Sequence, residues 1–254
     1  MSQQCAVILA GGEGTRMRSQ KPKTLSMVLE KPMLQWVLDA LKESGIDRIC
    51  IVTGYKRECI DAYIKTLPYP LETVFQSERL GTGHAVMTAK DFLQKNTGGD
   101  VVVLNGDAPF MDGETIRGAY ALHKEKQSSA TVISANVDDP SGYGRIVRDK
   151  STGALCAIVE QKDTDGQTAP VREVNSGAYW FNIDALLGVL DNITTNNNAR
   201  EYYLPDALKL LLQQGKTVQA FTAPCADAVL GANDPQQLAE LNRLAEKKYG
   251  SLHV

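Results

Sequence analysis

Three glycines within four positions, followed by an arginine and a lysine, make Leu9-Ala10-Gly11-Gly12-Glu13-Gly14-Thr15-Arg16-Met17-Arg18-Ser19-Gln20-Lys21-Pro22-Lys23 the most chemically suggestive stretch of the chain. Glycine lets the backbone take positive φ and approach a bound group without side chains in the way. Successive N–H groups in such a turn form a concavity for anionic oxygens. Arg16 adds a planar, permanently charged fork and Lys23 a mobile point charge, both suited to phosphate. The segment follows Cys5 to Leu9, an apolar run that reads as a buried first strand. A nucleoside triphosphate site explains this grouping better than a plain turn with solvated charges. Two better-known phosphate loops do not fit: there is no G-x-x-x-x-G-K-[ST], and Gly12 to Met17 ends in Met where the dinucleotide fingerprint needs Gly or Ala.

A strand end also directs attention to Asp107. It follows Val101 to Leu104, the most continuous apolar run in the chain, within Leu104-Asn105-Gly106-Asp107-Ala108-Pro109. Ligands of open α/β sheets bind at the carboxyl ends of the strands. An acidic residue there can hold Mg²⁺, a hard cation that takes oxygen ligands and bridges phosphates. Asp112 is better placed than Asp107 to cap the next helix. Asn233, in Gly231-Ala232-Asn233-Asp234, is the candidate second oxygen ligand. Gln76 follows the third strand and can form paired amide hydrogen bonds to a base edge.

The elements that must position these groups alternate through the first half. Strands are expected at Cys5–Leu9, Arg48–Val52, Leu71–Phe75 and Val101–Leu104, with helices from Pro32 to Gly45, Lys56 to Lys65, Gly83 to Leu93 and after Asp112. That order implies a mostly parallel central sheet with helices on both faces. Beyond Ser128 the runs Ala130–Val137, Gly144–Arg148, Leu155–Val159 and Val171–Asn182 are strand-like, with helices near Ile183–Leu190, Tyr203–Leu212 and Pro235–Tyr249. The expectation is an α/β fold in one domain over 1–254. Residues 1–127 form its nucleotide-binding half, and 128–254 a half with added β-structure that carries a lid or acceptor site. Thr194 to Asn198 reads as a mobile polar loop.

The chain has 254 residues, 43% hydrophobic and 22% charged, which is ordinary for a folded soluble protein. A net charge of −3 argues against a nucleic-acid surface. No apolar run approaches the roughly 20 residues needed to cross a bilayer, and the N-terminus lacks the pattern of a signal peptide. The five cysteines are scattered without C-x-x-C; Cys5, Cys50 and Cys156 read as buried apolar residues. A cytoplasmic protein is expected. The oligomeric state is left open.

The glycine segment resembles the L-x-x-G-x-G-T-R-M…P-K signature of the sugar-1-phosphate nucleotidyltransferases. Gln76-Ser77-Glu78-Arg79-Leu80-Gly81-Thr82-Gly83-His84-Ala85 resembles the base-reading segment of the N-acetylglucosamine-1-phosphate uridylyltransferases. Gly142-Tyr143-Gly144-Arg145-Ile146, Ile158 to Lys162, Asn175-Ser176-Gly177 and Glu201 to Asp206 match that family in order. The resemblance implies a Rossmann-like nucleotidyltransferase fold. It implies that UTP and a sugar-1-phosphate are the substrates, with UDP-N-acetylglucosamine and pyrophosphate the products, and Mg²⁺ the cofactor. Leu9, Ala10, Gly11, Gly12, Gln76, Gly81 and Thr82 would contact the nucleotide, and Arg16 and Lys23 would hold its triphosphate. Asn105, Gly144, Glu160 and Asn175 would surround the sugar, while Asp107 and Asn233 would hold the metal. Bifunctional members of this family carry a C-terminal left-handed β-helix that acetylates glucosamine-1-phosphate. This sequence has no hexapeptide repeat, so that activity is not expected of it. Asn105 departs from the small or aromatic residues common before Gly-Asp, which leaves another sugar-1-phosphate open as the acceptor. A non-catalytic sugar-nucleotide-binding module is the rival of a different class. Tyr202 and Tyr203 are read as pocket or core, and His84 as structural.

Overall fold

The computed structural model describes residues 3–17, 19 and 21–250. Its strands are β1 (Gln4–Ala10), β2 (Met27–Val28), β3 (Lys31–Pro32), β4 (Ile49–Thr53), β5 (Glu72–Phe75), β6 (Asp100–Asn105), β7 (Ala130–Asn136), β8 (Arg145–Arg148), β9 (Leu155–Val159), β10 (Glu173–Asn182) and β11 (Val218–Thr222). Its helices are α1 (Met33–Glu43), α2 (Arg57–Ile64), α3 (Thr82–Thr88), α4 (Lys90–Gln94), α5 (Gly113–Glu125), α6 (Ile183–Leu190), α7 (Pro205–Gln213) and α8 (Pro235–Tyr249).

One sheet of order β11-β7-β10-β6-β1-β4-β5 runs through the molecule. The pairs β6–β1, β1–β4, β4–β5 and β11–β7 are parallel; β10 runs antiparallel to both β6 and β7. The sheet is therefore mixed but mostly parallel. Two of the strand-like runs of the second half, β7 and β10, enter this sheet rather than forming a separate layer. Only the antiparallel β8–β9 pair extends beyond it, hung from β10 through β8.

Alternation along the central strands feeds two cores. From β1, Ala6, Ile8 and Ala10 face a cluster built with Leu34, Leu38, Ile60 and Ile116, while Cys5 and Val7 face Phe92, Leu186 and Leu208 on the other side. Such side-to-side switching follows from the two-residue period of a strand. Trp180 of β10 is fully buried among α5 and the first cluster, and its indole N–H donates to Ile116 O at 3.0 Å. A third cluster, including Met33, Phe110 and Leu241, seats α8 against the β2–β3 hairpin. Asn242 fixes that docking by accepting from Leu29 N–H at 2.7 Å and donating to Met27 O at 3.2 Å.

Several expectations need correction. The helix expected over Gly83–Leu93 is broken at Ala89 into α3 and α4. Strand β11 had no counterpart in the sequence reading; only Val218 of its five residues is buried, so its apolar pattern is weak. Cys156 is exposed on β9, a strand at the rim, whereas Cys5 and Cys50 are buried as expected and burial pushes both thiols up to about 12. In the Thr194–Asn198 loop, Asn197 Nδ2 donates to Glu201 O and Asn198 Nδ2 to Lys162 O. Asp112 caps α5 as expected, accepting from Thr115 N–H at 2.8 Å.

Because Trp180 joins α5 to the centre of the sheet, Trp180→Ala is expected to lower the unfolding free energy by about 3–5 kcal/mol in urea titration. A loss below about 1 kcal/mol would show that α5 does not depend on this contact.

Candidate active site

The register of the parallel strands lines up their carboxyl ends. Leu9 is opposite Asn105 and Val52, Ala10 is opposite Thr53, and Thr53 is opposite Phe75. Each strand therefore delivers its following loop to the same edge: Gly11–Gly14 from β1, Gly54 from β4, Gln76 from β5, and Gly106–Asp107 from β6. The β1 and β4 loops pack backbone on backbone; a Cβ on Gly54 would fall 2.4 Å from Gly11 O. Gly11 O accepts from Tyr55 N–H at 3.1 Å, which fixes the spacing.

Two adjoining cavities open at this edge. The first, about 380 Å³, is lined by Gly11, Gly12, Gln76, Gly81 and Thr82, with Glu13 and Arg79 at its side. Gln76 is only 5% exposed; its Nε2 donates to Gly81 O at 3.2 Å and lies 3.1 Å from His84 Nδ1. Its Oε1 faces the glycine loop, 3.0 Å from where a Gly11 Cβ would stand. Gly81 sits at φ +111°, with Tyr202 O 2.6 Å from the position its Cβ would take, so glycine alone suits this turn. Thr82 Oγ1 accepts from Leu204 N–H at 3.0 Å and Gly83 N–H donates to Tyr202 O at 2.7 Å. These bonds fasten the Glu201–Leu204 segment to the turn.

The second cavity, about 550 Å³, contains Gly144, Glu160 and Asn175 together with Tyr143, Ser176, Gly177 and Tyr203. It exists because β10 is antiparallel to β6, so its first half runs on past the carboxyl end of β6. A bulge between Asn175 and Ala178, with Gly177 at φ +75°, turns the strand there. Asn105 Nδ2 stands 2.2 Å from where a Gly177 Cβ would be, so glycine makes room for the Asn105 amide. Asn175 Nδ2 donates to Tyr179 OH at 2.7 Å and reaches Glu160 Oε1 at 3.4 Å. Burial pushes the Glu160 carboxyl above the usual range, aided by nearby Asp163 and Asp206 and opposed by the Asn175 hydrogen bond.

Leu9, Lys23, Thr82, Asn105, Asp107 and Glu201 line both cavities and form their junction. Lys23 Nζ pairs with Asp107 Oδ2 and donates to Asn233 Oδ1 at 3.0 Å. The Lys23 and Asp107 side chains are only 16% and 18% exposed, so the pair is well shielded from solvent. Asn233 is placed by the start of α8, where Asp234 caps the helix and Gln237 Oε1 accepts from Asn233 N–H at 2.7 Å. Gly231 allows that loop to approach Asp107, whose carbonyl oxygen lies 3.0 Å from a Gly231 Cβ position.

Of the expected site residues, thirteen line one or both cavities: Leu9, Gly11, Gly12, Lys23, Gln76, Gly81, Thr82, Asn105, Asp107, Gly144, Glu160, Asn175 and Asn233. Ala10 is buried beneath the loop and Arg16 is exposed on the Thr15–Met17 turn; neither lines a cavity. Lys21 is exposed, and Arg18 lies outside the described residues. Glu13, Arg79, Tyr143, Ser176, Gly177 and Glu201 line the cavities without having been assigned roles, although each lies within a segment that carried the resemblance.

The model of the family described as nucleotidyl transferase matches residues 5–226. The chain belongs to this family. It is 41% identical over 249 residues to the bifunctional protein GlmU of Alkaliphilus metalliredigens, and 40% identical over 249 residues to that of Acetivibrio thermocellus. Each alignment covers 98% of this nucleotidyl transferase and 53% of the relative, so the chain spans about half the length of the curated relatives it matches. The fold is also similar to the crystal structure of a UDP-glucose pyrophosphorylase complexed with UDP-glucose. There the TM-score is 0.76 at 20% identity, covering 98% of this chain and all of the other. Among the described residues no helix is long and apolar enough to cross a membrane.

The raised Glu160 carboxyl carries a stability consequence of definite sign. Its burial penalises the ionised form, a cost present above the folded-state pKa and relieved as pH falls through it. Glu160→Gln is therefore expected to unfold at a higher temperature than the parent at pH 8, with the gap narrowing toward pH 5. A gap that widens on acidification would mean the carboxylate is stabilised here.

Proposed function

We propose that this chain transfers a uridylyl group from UTP to N-acetylglucosamine-1-phosphate, releasing pyrophosphate and forming UDP-N-acetylglucosamine. The observation that carries the reading is the shared junction: Lys23, Asp107 and Asn105 sit where a nucleotide in one cavity and a sugar phosphate in the other would meet. A phosphate oxygen of the acceptor attacks the α-phosphorus of UTP, and the bond to the departing pyrophosphate breaks in line. The acceptor is already ionised near neutral pH, so positioning and charge neutralisation carry the catalysis.

Uridine is favoured by Gln76. Its amide NH₂ is spent on Gly81 and beside His84, so the paired amide contact expected of it reduces to the carbonyl oxygen. Uracil presents an N–H on its pairing edge, whereas cytosine presents an acceptor there. Gly11, Gly12 and Gly81 keep the backbone open to the base and ribose, with Ala10 contributing from behind through its main chain. Arg16 closes on the triphosphate from the solvent side. The acceptor lies among Asn105, Gly144, Glu160 and Asn175, where Glu160 accepts from sugar hydroxyls and the two amides address the acetamido group.

Asp107 and Asn233 fit Mg²⁺: a carboxylate and an amide carbonyl converge on one cationic group, here the Lys23 ammonium. No cluster of three or more His, Cys, Asp or Glu able to hold a metal occurs among the described residues, which suits an ion that completes its shell with substrate phosphates and water. Bound there, Mg²⁺ would neutralise developing phosphate charge. Lys23 would then release both donors and turn to the phosphates.

Pyrophosphate release over a matrix of UTP, dTTP, CTP, ATP and GTP against several sugar-1-phosphates tests the reading. N-acetylglucosamine-1-phosphate is expected to exceed glucose-1-phosphate by about tenfold or more in kcat/KM, because unmet buried polar groups each cost about 1–3 kcal/mol. Asp107→Asn is expected to abolish most turnover, with a modest drop in unfolding temperature from the poorly paired Lys23 ammonium. A preference for glucose-1-phosphate would replace the acceptor, and no pyrophosphate from any pair would overturn the activity.

A further inference from the structure

The nucleotide cavity contains a charge that its proposed ligand should not tolerate. Glu13 stands between Gly12 and Gly14 in the glycine loop, and it lines the cavity. Gly14 takes φ +59° and packs against the Lys23 side chain, 2.9 Å from where its own Cβ would be, so the loop holds Glu13 close to the junction. Among the described residues, the charged side chains lining this cavity are Glu13, Asp107 and Glu201 against Lys23 and Arg79. Lys23 is already engaged by Asp107. Arg79 Nη2 lies 2.8 Å from Glu13 Oε2, across the gap between the glycine loop and the base-reading turn.

We propose that Arg79 is a positioning residue whose task is to neutralise Glu13, and that this pair couples base recognition to triphosphate binding. Without Arg79, Lys23 would be the one cation among the described residues lining this cavity, against three carboxylates. With it, the two loops are drawn together on either side of Gln76. The alternative role for Arg79, direct contact with the nucleotide, makes the opposite prediction about Glu13: removing that carboxylate would not compensate for the loss of the arginine. The inference rests on the nucleotide reading above.

Equilibrium binding of UTP to the whole protein in the presence of Mg²⁺ separates these roles across the parent, Arg79→Gln, Glu13→Gln and the double variant. Arg79→Gln is expected to weaken UTP binding about three- to fivefold, the scale of a half-exposed ion pair. The double variant is expected to return to within about twofold of the parent, and added salt to shrink the Arg79→Gln deficit. The KM for the sugar phosphate at saturating UTP should not follow these changes, which a general loss of structure would not allow. Arg79→Lys, which keeps the charge, is expected to bind as the parent does and serves if Arg79→Gln fails to fold. A double variant as weak as Arg79→Gln, or an Arg79→Lys protein as weak, would overturn the inference. A parent that binds no nucleoside triphosphate would overturn the functional reading and this inference with it.

Discussion

The contact on which the site depends is the bridge from Lys23 to Asp107 and Asn233. It joins three parts of the chain far apart in sequence: the loop after β1, the end of β6, and the approach to α8. An ammonium held by a carboxylate and an amide oxygen in a shielded place needs both partners, because removing either leaves buried charge poorly paired. The same two oxygens suit a divalent cation once phosphates are present. The bridge thus marks the point where nucleotide, metal and acceptor chemistry would converge.

The rest of the fold can be understood as support for that point. Parallel register brings four loop-bearing strand ends to one edge, and the antiparallel entry of β10 carries Asn175, Ser176 and Gly177 to the far side of the β6 end. The two halves are consequently not two bodies with a cleft between them; they share one sheet, and Asn105 and Gly177 meet across the β6–β10 border. The α8 helix, held by Asn242 and the third apolar cluster, supplies Asn233 from a distance of 210 residues along the chain.

Much of this was legible in the sequence because strong local signals coincide with it. Continuous apolar runs at β1, β4 and β6 could only be buried strands, and glycine followed by charge marked their ends. Asp112 announced its helix through capping chemistry. What stayed hidden was non-local. Nothing around Glu13 or Arg79 says that the two face each other, since their pairing depends on where β1 and β5 deposit their loops. Strand β11 escaped notice because a parallel edge strand with one buried side chain leaves little periodicity. Cys156 misled because an apolar run can also lie at the rim of a sheet, where one face is bare. The antiparallel direction of β10 had no sequence signature, yet it builds the second cavity.

At the centre of the proposed function is Lys23 holding, until nucleotide binds, two oxygen donors that would serve a divalent cation. Mn²⁺ binding followed by electron paramagnetic resonance, with and without UTP, tests it on the parent protein and on Lys23→Met. The parent should bind Mn²⁺ weakly alone and more tightly with UTP, while Lys23→Met should bind it more tightly than the parent when no nucleotide is present. Equal affinity in the parent with and without UTP, unchanged by Lys23→Met, would contradict the account.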